Sequence, residues 1–92
     1  DAIFHFQEVV NSRTRAFGPD DEDTLSSRTL LGIAHLDAGL ADEAHRLFVS
    51  LVTDYSRIFG DEDYGTKVAR SFLTVSRNLT EQMHSIDSSG ES

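Results

Sequence analysis

Phe17-Gly18-Pro19-Asp20-Asp21-Glu22-Asp23-Thr24-Leu25 decides the fold, because its pattern returns 42 residues later as Phe59-Gly60-Asp61-Glu62-Asp63-Tyr64-Gly65-Thr66-Lys67. Around this corner the identities Ala2/Ala44, Phe6/Phe48, Val10/Val52, Arg15/Arg57, Arg28/Arg70 and Leu31/Leu73 keep the same offset without a gap. Together they make about 10 identities in roughly 50 aligned pairs, against about 3 by chance. A fixed period of this length marks stacked supersecondary units. Such arrays present surfaces to other macromolecules more often than they do chemistry.

Outward from the corner, apolar spacing reads as four helices. The first covers about Ala2 to Ala16, with Ala2, Phe6, Val9, Val10 and Phe17 in helical register. Gly18-Pro19 stops it, since glycine takes the left-handed cap and proline cannot continue a helix. Asp20 or Asp21 caps a second helix over about Glu22 to Ala38, and Gly39 ends it. The third spans about Ala41 to Ile58 and carries Ala44, Leu47, Phe48, Leu51, Val52 and Tyr55. Phe59-Gly60 closes it, and Asp61-Glu62-Asp63 opens a fourth that extends to about Met83. Gly65 in its first turn reads as a weakness, because glycine is a poor helix former. No stretch alternates with a period of two, so strands are not expected.

The bulk numbers narrow the function classes. A chain of 92 residues is one small domain with a modest core. Its hydrophobic content of 38% suits a globular fold, and no apolar run is long enough to span a bilayer. Eight basic residues stand against 16 acidic, for a net charge of −8. With the arginines scattered, nucleic acid and anionic membrane surfaces are not the expected partners. The absence of Cys excludes thiol chemistry and Cys-ligated zinc, and fits a cytoplasmic protein. The opening Asp1-Ala2, without an initiator Met, suggests a piece of a longer chain.

The repeat resembles the tetratricopeptide repeat, in its long variety of roughly 42 residues found in kinesin light chains and many bacterial proteins. The residues that carry the resemblance are Phe17-Gly18-Pro19-Asp20-Asp21-Glu22-Asp23-Thr24-Leu25, then Thr29-Leu30-Leu31-Gly32, His35, Gly39 and Glu43-Ala44, with Phe48 on the family's bulky position. The usual Asn pair is Thr29-Leu30 in one unit and Ser71-Phe72 in the next. The closing glycine of the later unit is replaced by Glu81. The resemblance implies an all-α, right-handed stack of antiparallel helix hairpins, a fragment of an α-solenoid. The repeat domain would occupy residues 1–85: the second helix of one unit (1–18), a complete unit (20–60) and the first helix of a further unit (61–85). Residues 86–92, small and polar, would be a flexible tail.

The resemblance also implies a concave face lined by the second and fourth helices. The second would present Ser26, Thr29, Leu30, Ile33, Leu36 and Asp37, and the fourth Val68, Ser71, Phe72, Val75, Asn78 and Leu79. Two readings of this apolar face stand. It is either a groove for a partner's peptide or helix, or a surface buried by longer helices and neighbouring repeats. Arg28 and Arg70 are repeat-equivalent and suit a ligand carboxylate or phosphate, but an ion pair with an acidic residue of the adjacent helix is the preferred reading. The acidic corners lack a calcium-loop pattern and read as helix caps. His5, His35, His45 and His84 include no i, i+4 pair, so no metal or other cofactor is expected. With no nucleophile elbow or phosphate loop, the expectation is a non-enzymatic scaffold that binds a protein or peptide. Homodimerisation within a larger, bacterial regulatory protein is the alternative.

Overall fold

Helix starts and stops are set by side chains at the two repeat-related corners. In the computed structural model, which describes the backbone of residues 1–90 and the side chains of residues 1–83, the Asp21 carboxylate accepts from the Asp23 N–H at 2.9 Å. Its counterpart Asp63 accepts from the Gly65 N–H at the same distance. Thr24 Oγ1 donates to the Gly18 carbonyl at 2.8 Å, and Thr66 Oγ1 to the Gly60 carbonyl at 2.8 Å. Gly18 lies at φ 92°, ψ 164° and Gly60 at φ 91°, ψ 165°, a region open in practice only to glycine. Both threonines are buried, so each corner is a closed hydrogen-bonded unit rather than a loose loop.

The elements so delimited are α1 (Ala2–Phe17), α2 (Glu22–Asp37), α3 (Ala41–Phe59) and α4 (Tyr64–Gly90), with no strand among the described residues. The intervening turn between α2 and α3 is a Schellman closure: Leu40 N–H donates to the His35 carbonyl and Gly39 N–H to that of Leu36. Where Gly39 ends α2, its counterpart at the 42-residue offset is Glu81, and α4 continues to Gly90 instead of stopping near Met83. Of the tail expected over residues 86–92, Glu91 and Ser92 lie outside the described residues.

Packing follows chain order. α1 lies on α2, α2 on α3 and α3 on α4, while α2 and α4 meet along one edge; α1 approaches neither α3 nor α4. This is an all-α stack of helix hairpins, as the resemblance implied. At 51 × 32 × 14 Å it is a slab. None of the described helices is long and apolar enough to cross a membrane.

Phe48 is the centre of the core. It is fully buried with Leu25, Ala44, Leu51 and Ala69. Its ring sits so close over α2 that a Cβ added to Gly32 would lie 2.6 Å from the ring tip. On its other side it stacks on Phe72 of α4, with centroids 5.4 Å apart and planes 14° from parallel. One side chain of α3 thus joins three helices. By contrast α1 buries none of its residues fully, and Phe4 is 68% exposed, because α2 is its sole neighbour.

Two substitutions measure this arrangement by urea unfolding. Phe48→Ala is expected to cost about 3–5 kcal/mol, the range for emptying a buried aromatic site; a loss below about 1 kcal/mol would contradict the stack. Gly32→Ala is expected to destabilise by about 1–3 kcal/mol through overpacking, although in an open helix the same change stabilises by roughly 1 kcal/mol.

Candidate functional site

The first turns of α2 and α4 border an open groove of about 390 Å³, floored by the C-terminal half of α3. From α2 come Glu22, Ser26, Thr29 and Leu30, spaced to share one helix face. From the second corner and α4 come Asp63, Tyr64, Gly65 and Val68, while Tyr55 and Phe59 of α3 form the floor.

Gly65 explains the groove's shape. A Cβ there would lie 2.5 Å from the Tyr55 ring, so the ring tucks beneath the start of α4 only because the side chain is missing. Tyr55 is 5% exposed, and its ring is tilted 42° to that of Phe59 at a centroid distance of 5.9 Å. Leu30, Phe59 and Tyr64 remain exposed around it. Thus the glycine that weakens a helix start by propensity earns its place through tertiary packing.

The ionised groups lining the groove are both carboxylates, Glu22 and Asp63. Asp63 spends Oδ2 on the cap of α4. The cations are engaged elsewhere. Arg28 pairs with Asp54 at 2.8 Å and donates to Ser50 Oγ at 2.9 Å. Arg57 bridges Asp54 at 3.5 Å and Asp20 at 3.1 Å, tying the first corner to α3. Arg70 meets Asp61 at 3.4 Å, and Lys67 meets Glu62 at 3.3 Å.

Of the residues expected on the concave face, Thr29 lines the groove together with Ser26, Leu30 and Val68. Ile33, Leu36 and Phe72 are half-buried and pack on the core. Val75, Leu79, Asp37 and Asn78 are exposed but lie outside the groove lining. Arg28 pairs with Asp54 of the adjacent helix, the structural role preferred for it, whereas Arg70 pairs with Asp61 of the corner that opens its own helix. Sequence reasoning missed Tyr55, Phe59, Tyr64, Gly65, Glu22 and Asp63 as groove residues. One signal pointed there: Gly65 departs from its counterpart Asp23, and a glycine inside a helix turn calls for a close approach to justify it.

His35 Nδ1 lies 2.8 Å from the Leu31 carbonyl and donates to it, a helix-internal bond. The described residues contain no group of three or more His, Asp or Glu side chains placed to hold a metal ion. No family model, no curated protein and no solved structure matches the chain.

Two carboxyls titrate below their ordinary value of 3.8. Asp20 is held down by the hydrogen bond from Arg57, then by the charges of Arg57 and Arg28. Asp61 is held down by the hydroxyl of Ser56, which donates to it, then by Arg70. A lowered folded-state value means that the stabilising contribution is complete above the unfolded value and disappears as pH falls through the folded one. Any destabilisation from these pairs is therefore confined to pH below about 4. Arg57→Gln is expected to raise the Asp20 midpoint toward 3.8 and leave that of Asp61 in place, as read by carboxyl-carbon NMR titration.

Proposed function

We propose that this chain is a protein-interaction module of the tetratricopeptide kind, which receives a segment of another protein in the groove between α2 and α4. The observation that carries the reading is the groove itself. It brings exposed apolar and aromatic side chains from three helices, Leu30, Phe59 and Tyr64, to one concavity that exists only because the hairpins stack. Concave surfaces built by neighbouring repeats are the usual binding faces of such arrays. Binding is non-covalent and needs no cofactor, and we take the setting to be the cytoplasm, within a larger bacterial regulatory protein.

Leu30 is 45% exposed, so its replacement leaves the core untouched. Leu30→Asp is expected to abolish binding of peptides selected on the native protein from a displayed library, with the helical circular dichroism unchanged. Retention of binding by this variant would exclude the groove as the docking face.

Self-association is a second reading, favoured by the apolar stripe Val75, Leu79 and Met83, all exposed at i, i+4, i+8 on α4. Light scattering over about a hundredfold dilution separates the two. The groove reading expects a monomer throughout; a dimer dispersed by Leu79→Glu would establish the stripe as an interface between copies.

A further inference from the structure

We infer that the segment received by the groove is basic: it places an apolar side chain between Leu30 and Val68 and directs lysine or arginine toward Glu22 and Asp63. The inference rests on the docking reading above and adds the chemistry of the partner.

Charge carries the argument. The groove lining contains two carboxylates and no cation among the described residues. The neighbouring cations do not compensate them, because Lys67 is paired with Glu62 and Arg70 with Asp61. Glu22 has neither a hydrogen bond nor an ion pair among the described residues, and Asp63 retains one oxygen beyond its cap bond. Helix dipoles offset part of this charge, at about half a unit for each N-terminus. Against that stand Asp21, Glu22 and Asp23 at one corner and Asp61, Glu62 and Asp63 at the other. With Lys67 and Arg70 counted, the two helix starts still keep a negative excess, of which Glu22 and Asp63 line the groove.

The aromatic lining suits the same partner. Phe59 and Tyr64 are exposed aromatics of the lining, and aromatic rings attract a guanidinium or ammonium as well as apolar groups. Tyr55 lines the groove, and its hydroxyl has no partner among the described residues. The volume, about 390 Å³, lies near the lower end of the roughly 300–1,000 Å³ usual for ligand pockets. It admits a few side chains of a segment rather than a whole helix. An acidic segment would meet the two carboxylates without one lining cation to receive it. A second copy of this chain, itself at −8, meets the same repulsion.

The test uses short fluorescein-labelled peptides that share one set of leucines at helical spacing and differ in being lysine-rich, glutamate-rich or uncharged. Anisotropy gives affinity, and amide NMR shifts give location. The lysine-rich probe is expected to bind at least about tenfold more tightly than the glutamate-rich one, to move the amides of Ser26, Leu30, Gly65 and Val68, and to weaken with salt. Glu22→Gln combined with Asp63→Asn, which keeps a cap acceptor, is expected to lower its affinity about fivefold. Leu30→Gln, which changes no charge, should lower it as well. Glu8→Gln removes the same charge as Glu22→Gln from the exposed surface of α1 and should leave it unchanged. Equal or tighter groove binding by the uncharged or glutamate-rich probe overturns the basic partner and leaves the docking reading standing. Groove amides unmoved by every probe overturn both. Lysine-rich binding that ignores Leu30→Gln, or responds equally to Glu8→Gln, is general attraction to an acidic surface and overturns the inference. Groove amides that shift with protein concentration alone overturn it in favour of a second copy.

Discussion

The stack depends on one contact, the ring of Phe48 seated on the bare backbone of Gly32 and stacked against Phe72. A helix hairpin leaves one side of each helix uncovered, and that side is stabilised only by a neighbour. Phe48 closes the hairpin of α2 and α3 and in the same place receives α4, so formation of the pair and addition of the next helix share a single packing site. Full burial of an aromatic side chain removes on the order of 150–250 Å² from water, a large share of what a domain this small can gather at any one point. The other fully buried residues of this core, Leu25, Ala44, Leu51 and Ala69, are small or aliphatic, and Tyr55 completes the cluster.

Polar chemistry then sets direction. The two corners match in glycine dihedrals, in the Asp cap and in the threonine hydroxyl that reaches back to the glycine carbonyl. Burying those hydroxyls without partners would be costly, so each corner holds one geometry rather than several. The ion pairs are more exposed and add less. Their arrangement places Arg28 of α2, Arg57 of α3 and Arg70 of α4 outside the groove lining, and the groove inherits its acidic character from where these arginines are already committed.

Local chemistry was legible in the residues. Asp21, Asp63, Gly18 and Gly60 act on the few residues beside them, and the helices begin and end close to where these say. Phe48 was legible as core because its position recurs and its size has no other use in a hairpin. The end of α4 was not, since Glu81 gives no stop where Gly39 did. The groove was half legible: Ser26, Thr29, Leu30 and Val68 follow from helix periodicity, which says which residues share a face. Tyr55, Phe59 and Gly65 enter through the rotation of α3 beneath α4, a tertiary quantity that no single helix encodes. Arg28 was legible as half of an ion pair, whereas Asp54 as the other half required the hairpin to close.

The Gly32 seat also sets how the slab relates to its own copies. At the repeat offset the counterpart of Gly32 is Thr74, and the counterpart of Phe48 is Phe6. A copy laid onto α4 as α3 is laid onto α2 would bring Phe6 down on a β-branched side chain, whereas at Gly32 even a single added Cβ would lie 2.6 Å from the Phe48 ring. The contact that seats α3 on α2 therefore has no unchanged counterpart on α4, where Thr74 carries the side chain that Gly32 lacks.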